Sequence, residues 1–549
     1  MKAVIKSLID KAVEEILKES GLEAELPEYT VEVPNNKEHG DFAANAALKL
    51  SKSLRKNPFD IAADIAGRMK HSLIEKCEPV RPGFINFFIS KTFYTDLLRD
   101  CISSDSPFMS DMGGGRKAMV EFVSANPTGP LHIGHGRNAA YGDSLARILK
   151  AAGFEVMTEY YVNDAGKQMS NLGKSIYVRY LQVCGQDVEF PEDGYKGDYI
   201  TDIAKELHKI HGGKLLSMNE AEAQNIAFEY GLEDIRGGIE ADLKEFRVTF
   251  QRWFSEKSLY ESGEVEECLT ELRTLGHVYD SEGAVWFAST KFGDDKDRVV
   301  KRQNGEYTYF ASDIAYHRNK FRRGVRTSID VWGADHHGYV KRLASAVYSL
   351  GIEDFDFNVS LIQMVNLIKD GERASMSTRA GEFITLKWLI DEIGVDAARF
   401  FYLMRDFEAQ FDFDIDLAKK RTSDNPVYYV QYAHARVYGL YSKAAEQGLE
   451  WEKGANLHIL ELDEEKEIIR KLYELKGIVE TAAFHRQPHR VIYYLQELAS
   501  MFHSYYYNNV IINPESPELS GARLSLCAGV AAAVRFGLDL LGVSAPERM

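Results

Sequence analysis

Cysteine is scarce in this chain. Cys77, Cys101, Cys184, Cys268 and Cys527 are the only five among 549 residues, and none forms a CxxC pair. Such scattered thiols argue against a disulfide framework and a structural zinc site, and they suit a reducing cytoplasm. Long apolar runs are also missing: no uninterrupted stretch reaches the roughly 18 residues of a membrane span. The first twenty residues do not read as a signal peptide, because Ile5, Leu8, Ile9, Ala12, Val13 and Ile16 recur at helical spacing with charges between them. Nor is there a basic excess. The net charge is −17, from 66 Lys and Arg against 83 Asp and Glu, which taken alone disfavours a polyanionic partner. Its distribution weakens that objection: about −2 over residues 1–110, −13 over 111–419 and −2 over 420–549, so a polyanion could still dock on the near-neutral ends.

The length corresponds to three or four domains at roughly 100–200 residues each. Residues 103–115 (SSDSPFMSDMGGG) read as a linker, the acidic, aromatic stretch at 406–416 as a second boundary, and 513–520 (NPESPELS) as a loop between helices. The N-terminal piece reads as a small α+β module with a strand at 83–89. Residues 118–124 (AMVEFVS) form a short apolar run fit for a buried strand. A Pro- and Gly-containing loop and a helix over 133–151 follow, and strand, tight loop, helix is the opening unit of a nucleotide-binding α/β sheet. A helix-rich insertion is predicted from 163 to about 275–280. Strand-like runs return at 284–287, 307–310, 329–332 and 359–365, and everything past about Leu417 reads as helix.

The chemistry concentrates in SANPTGPLHIGHGRN, residues 124–138. Pro127 and Pro130 stiffen the loop. Gly134 and Gly136 remove side chains where backbone must approach a ligand. The helix opening here is expected to aim unpaired N–H groups and a positive dipole end at an anion. His132 and His135 add donors for phosphate oxygens, able to stabilise charge that builds as pyrophosphate leaves. The bland alternative is a helix start that happens to hold two histidines, but a given four-residue motif arises by chance in well under about one chain in a hundred of this length.

With these residues the chain resembles class I aminoacyl-tRNA synthetases, and the arginyl-tRNA synthetases in particular. The resemblance runs end to end, through EFVSANPTGPLHIGHGRN, EYYVNDAGKQM, YFASDIAYH, VWGADHHGYV, SMSTRAGEF, VDAARFFYLMR, NPVYYVQYAHARVY and LLGVSAPERM. It implies a multidomain α/β protein: an N-terminal tRNA-contacting α+β module (1–110), a split Rossmann catalytic domain with its insertion (111–410) and an all-α anticodon-binding bundle (411–549). It implies a two-step reaction, arginyl-adenylate formation from L-arginine and ATP and then transfer to the terminal adenosine of tRNA(Arg), commonly with tRNA bound from the start. It further implies Mg²⁺ carried by the nucleotide, no zinc or other protein-held metal, no membrane, a monomer and a cytoplasmic location.

Carried over by motif, Glu121 and Asp313 are the carboxylates expected for the guanidinium, with Tyr309 shaping the pocket. Ser124 and Asn126 are expected at the α-amino and carboxylate end. Asp335 and His336 are expected against the adenylate and ribose. A lysine substrate could not satisfy two carboxylates set for a fork of donors. The family's second signature, KMSKS, is eroded here to Ser375-Met376-Ser377-Thr378-Arg379, and the lysine some relatives place ahead of the HIGH element corresponds to Gly129. Arg379 is the favoured phosphate contact, with Met376 and Ser377 beside it. Arg373, Lys369, Lys117 and Arg116 are the alternatives.

For tRNA, the resemblance points to His39–Asn45, with Phe42 and Asn45 able to stack on and read a base. The competing reading is a turn and helix start capped by Asp41. Tyr428, Tyr429, Tyr432, His434, Arg436 and Tyr438, and again Tyr505–Asn509, interleave aromatic with basic or polar groups; such a stripe serves either core packing or base stacking. Two rival functions stay open on sequence alone. One is a non-catalytic tRNA-binding paralogue, favoured by the eroded loop. The other is a different HIGH-bearing nucleotidyltransferase or synthetase.

Overall fold

The amphipathic N-terminus folds as its spacing predicts: helix α1 (Lys2–Glu19) buries Ile5, Ile9, Ala12, Val13 and Ile16. The computed structural model describes residues 1–22, 27–34, 36–103, 106–352, 354–373 and 384–549. Two compact units result. One comprises Met1–Pro107, Leu440–Tyr473 and Ser504–Ala532, the other Phe108–Gly439, Glu474–His503 and Ala533–Met549. In the first, strands β1 (Val31–Glu32), β2 (Phe42–Ala44), β3 (Ile74–Val80) and β4 (Phe84–Ile89) form an antiparallel sheet of order β1-β2-β4-β3. The strand expected at 83–89 is therefore present. Helices α2 (Ala46–Leu54), α3 (Pro58–Arg68) and α4 (Lys91–Ser103) complete the N-terminal part. α3 begins where the Asn57 side chain accepts from Phe59 N and Pro58 takes the first turn.

The second unit is organised by a five-stranded, wholly parallel sheet. β5 (Lys117–Glu121) lies at its centre and runs into α5 (Ile133–Ala151), the helix predicted at those bounds. β6 (Glu155–Val162) pairs with β5 on one side. The chain then leaves through α6 (Lys167–Val183), α7 (Asp198–His211) and α8 (Glu220–Glu245) and returns as β7 (Arg252–Ser255) on the far edge of β6. The stretch read as a helical insertion thus contains a strand of the main sheet, too short at four residues to stand out between helices. After α9 (Glu256–Glu261) and α10 (Glu264–Thr274) comes a small antiparallel sheet, β8 (Val278–Ser281), β9 (Ala284–Phe287) and β10 (Arg298–Lys301).

The strand expected at 307–310 is a correction: Tyr309 opens helix α11 (Tyr309–Arg322). Of that run only Phe310 joins the buried face of the helix, with Ala311, Ile314 and Ala315, whereas Tyr309 is 56% exposed. β11 (Thr327–Gly333), α12 (His337–Ser349) and β12 (Asp356–Ile362) close the sheet, giving the order β12-β11-β5-β6-β7. Strand order reverses between β5 and β11, and ligands of open parallel sheets bind beyond the carboxyl ends of strands at such a switch point.

A further sheet joins β13 (Val365–Lys369), β14 (Glu372–Arg373) and β15 (Phe411–Asp414), with α13 (Leu386–Ile393), α14 (Val395–Leu403) and α15 (Ile415–Lys419) around it. From there on the chain is helical, as expected: α16 (Pro426–Glu446), α17 (Asp463–His485), α18 (His489–Asn508) and α19 (Pro517–Leu540). α19 is long and apolar enough to cross a membrane, but 78% of its most apolar window is buried within the protein, as in a core helix.

Candidate active site

β5 delivers the SANP loop at the switch point. The backbone there is unusual: Val123 and Ser124 both take left-handed φ values, 65° and 39°, a conformation that costs a β-branched residue about 1–3 kcal/mol. Local hydrogen bonds hold it. Val123 N donates to Asn138 Oδ1 at 2.7 Å, and Asn138 Nδ2 donates to Val331 O at 3.0 Å. Ser124 Oγ donates to Glu121 Oε1 at 3.1 Å and accepts from Tyr161 N at 3.1 Å. Tyr160 Oη donates to Ala125 O at 2.8 Å. The Asn126 side chain is left exposed on the rim.

The HIGH element caps its own helix. His132 Nδ1 accepts from Gly134 N and His135 N at 3.0 and 3.4 Å, and His135 Nδ1 accepts from His132 N at 3.2 Å. The two rings stack at 3.7 Å. An Nδ1 that accepts from an amide carries no proton, so each neutral ring is fixed with its proton on Nε2. Burial holds both imidazoles neutral: it lowers the pKa of His132, and it drives His135 down to about 3 with the help of its neighbour. This corrects the expectation of unpaired helix N–H groups. Ile133 N donates to Ile384 O, and the next two amides to His132. Each ring therefore carries its proton on Nε2, beside the positive end of the helix dipole.

The glycine reading shifts too. A Cβ on Gly134 would meet the His132 ring at 2.9 Å, and one on Gly136 would meet Leu386 and the Tyr402 hydroxyl at 2.8 Å. Both leave room for protein atoms. Gly129 lies under Tyr199, whose hydroxyl donates to Thr128 O at 2.5 Å.

A bridge between His132 and Thr385, with Leu386 N donating to Leu131 O at 2.8 Å, ties residues 384–386 to the HIGH element. Ser375, Met376, Ser377, Thr378 and Arg379 lie outside the described residues. Of the alternative cations, Lys117 and Arg116 are ruled out by position. They enter β5 at its amino end, opposite the SANP loop, where Lys117 faces Glu155 and Arg116 covers the Phe154 ring. Arg373 is paired with Asp412 at 3.3 Å, and Lys369 lies over the Trp388 ring at 6.0 Å.

The carboxylates are distributed differently from expectation. Glu121, expected against the guanidinium, is already paired: Lys320 Nζ donates to its Oε2 at 2.7 Å, and Ser124 occupies Oε1. The carboxylate left without a match is Glu256, which sequence reading missed. It is 1% exposed, its Oε1 accepts from Ser312 Oγ at 2.9 Å, and its Oε2 has no partner. Burial, then the charges of Asp313 and Asp164, raise its pKa to about 7. Burial also raises that of Asp313, whose Oδ2 accepts from Tyr339 Oη. The buried Tyr161 hydroxyl, likewise unpartnered, feels Glu256, Asp313 and Glu121 together. Tyr309, 56% exposed at the start of α11, brings its hydroxyl to Gly166. Asp335 and His336 sit exposed just past the carboxyl end of β11, 3.6 Å apart.

The expected tRNA contacts fare unevenly. Phe42 is 4% exposed and lies under the Arg470 guanidinium, so it has no face for a base. Asp41 caps no helix: its carboxylate accepts from Ile89 N, Tyr94 Oη and Arg470. Asn45 precedes α2, and its Oδ1 accepts from Thr30 N at 2.9 Å. Tyr432 is exposed beneath Arg436 at 4.6 Å, and Arg436 also meets His503 Nδ1 at 3.0 Å. Of the second aromatic run, Tyr505 is core, bonded to Glu465, whereas Tyr507 is 89% exposed.

Three family models match in succession: the arginyl tRNA synthetase N-terminal domain over residues 3–89, the class I (R) tRNA synthetase catalytic domain over 98–402, and the DALR anticodon binding domain over 430–549. The arginine–tRNA ligase of Citrifermentans bemidjiense is 48% identical over 554 residues, covering 100% of both chains. That of Listeria monocytogenes serotype 4b is 45% identical over 546 residues, covering 99% of this chain and 98% of its own. In fold, the arginyl-tRNA synthetase of Thermus thermophilus superposes with a TM-score of 0.70 at 24% identity, each chain covered completely. The sheet with its switch-point site and these full-length matches show that the chain belongs to the class I arginyl-tRNA synthetases, the ligases that activate arginine with ATP and pass it to tRNA.

Proposed function

We propose that the carboxyl edge of the parallel sheet is where this ligase activates arginine, and that Asp313 and Glu256 form the guanidinium pocket. The observation that carries this reading is the buried, unpartnered Glu256 Oε2 beside Asp313 and the Tyr161 hydroxyl. Two carboxylates match the fork of a guanidinium. A lysine ammonium is a point charge and would leave one of them unpaired, at a cost of several kcal/mol. Tyr309 covers the pocket entrance. Asn126, with the remaining lone pair of Ser124 Oγ, meets the α-amino and carboxylate end.

In the first step the arginine carboxylate attacks the α-phosphorus of ATP and the bond to pyrophosphate breaks. The Nε2–H groups of His132 and His135 then donate to phosphate oxygens, and Gly134 keeps the first ring in place. Asp335 and His336 contact the adenylate and its ribose. Of the eroded second signature, Met376, Ser377 and Arg379 are assigned to the nucleotide, with Arg379 as phosphate contact. In the second step the tRNA terminal hydroxyl attacks the arginyl carbonyl and AMP leaves. When bound with the nucleotide, Mg²⁺ would neutralise phosphate charge, held by phosphates and water.

Tyr432 and Arg436 on α16 offer an aromatic and cationic surface to the anticodon end of tRNA, and Asn45 offers a contact in the N-terminal module. The domain division at 110 and 410 follows this assignment of roles. We further infer a cytoplasmic monomer without a membrane or zinc requirement, on the sequence ground that the five cysteines are scattered and form no CxxC pair. The test is ATP–pyrophosphate exchange across the amino acids, with and without tRNA. Exchange with arginine alone among them is expected. Exchange with another amino acid and none with arginine would overturn the pocket assignment.

A further inference from the structure

Beneath the site runs a chain of buried charges. β5 and β11 pair in register so that Glu121 lies beside Asp330, and two carboxylates so placed repel unless a cation separates them. Lys320, fully buried on α11, is that cation: its Nζ donates to Glu121 Oε2 at 2.7 Å, Asp330 Oδ1 at 2.8 Å and Ser328 Oγ at 3.3 Å, and lies over the Tyr316 ring. The chain continues on both sides. Glu121 Oε1 accepts from Ser124 Oγ, in the left-handed turn. Asp330 Oδ2 meets His317 Nε2 at 2.7 Å, and His317 Nδ1 meets the carbonyl of Asp313 at 2.8 Å. Through its two ring nitrogens His317 bridges the Asp330 carboxylate and the Asp313 backbone. Carboxylate, ammonium, carboxylate and imidazole thus follow one another from Ser124 to Asp313. The sequence carries a trace of this: Asp313, His317 and Lys320 stand at i, i+4 and i+7 on α11, a polar stripe on its buried face.

We propose that Lys320 is a positioning residue for arginine activation, the central link that fixes the Ser124 turn relative to Asp313 and so sets the spacing between the two ends of the arginine site. This rests on Ser124 and Asp313 lying at those two ends. Lys320 touches no substrate and acts through Glu121 and Asp330. A buried ion pair broken on one side destabilises strongly, so Lys320→Met alone reports mainly on folding. Lys320→Met combined with Glu121→Gln removes one charge of each sign and leaves Asp330 with His317. Glu121→Gln alone keeps every cation paired with Asp330.

The experiment is pyrophosphate exchange on full-length, tRNA-bound enzyme with arginine and ATP varied separately, and melting temperature as the check on folding. For the double variant and for Glu121→Gln we expect near-native melting, an arginine KM raised at least about tenfold and an ATP KM within about twofold of the parent. The preference for arginine over homoarginine, one methylene longer, is expected to fall. An unchanged arginine KM in either folded variant overturns the inference, as does an equal rise in both KM values. Asn126→Ala and Asp313→Asn separate the premises: if neither moves arginine KM, the site assignment fails, and if both do while Glu121→Gln does not, only the role of Lys320 fails.

Discussion

Removing the charge of Glu256 is expected to weaken arginine binding and stabilise the protein at once. Its carboxyl, 1% exposed, is raised from 4.5 to about 7 chiefly by burial. Below pH 4.5 both folded and unfolded chains hold the proton and no difference arises. Between 4.5 and 7 the unfolded chain ionises first, so stability is lost across that window and stays lost above it. At about 1.4 kcal/mol per pH unit, the displacement costs about 3 kcal/mol at pH 8. Glu256→Gln keeps the shape and the Ser312 contact without the charge. Its melting temperature is expected to match the parent at pH 4.5 and exceed it progressively toward pH 8, with about 3 kcal/mol as the upper bound. For binding the sign runs the other way. A guanidinium competes with the proton, and at pH 6 only about a tenth of the groups are ionised, so arginine KM is expected to be about tenfold higher at pH 6 than at pH 8. In Glu256→Gln that slope vanishes and KM is high throughout. A parent KM that is flat from pH 6 to 8, or a variant no more stable at pH 8, refutes the argument.

Three other outcomes follow from the geometry. His135→Ala loses one Nε2–H donor and half of the capping box, and is expected to lower the activation rate about 10²–10³-fold with little change in arginine KM, measured by single-turnover adenylate formation. With the folded pKa of His135 near 3, the parent rate should show no titration of that ring above pH 5. Arg379→Ala is expected to lower the activation rate more than arginine affinity; an unchanged rate transfers the phosphate role to Lys369 or Arg373. Arg399→Met takes from the Asp143 carboxylate its fully buried partner, leaving it Arg147, and removes the donors to Phe246 O at 3.0 Å and Leu541 O at 2.8 Å. A loss of about 3–5 kcal/mol in urea unfolding is expected, and a loss below 1 kcal/mol would show that the pair adds little.

What the sequence disclosed and what it hid divide by the range of the interactions involved. α5 was legible to its last residue because its signals are local: a loop with two prolines, a histidine cap and an apolar run lie within about twenty-five positions. β7 was not, since four residues between long helices carry no period of their own and are made a strand only by pairing with β6. Tyr309 misled for the same reason in reverse, a run of four residues being equally a strand or the opening of a helix. The charges show the limit most clearly. Glu121 reads as a ligand in one dimension because the motif carries it into that role, and its counter-ion stands 199 positions away. Glu256 reads as an ordinary first-turn acid, and only burial without a partner turns it into a demand for a cation. A carboxylate's role is set by the charges folded around it. Arginine recognition here therefore depends as much on which acid Lys320 has already neutralised as on which acids line the pocket.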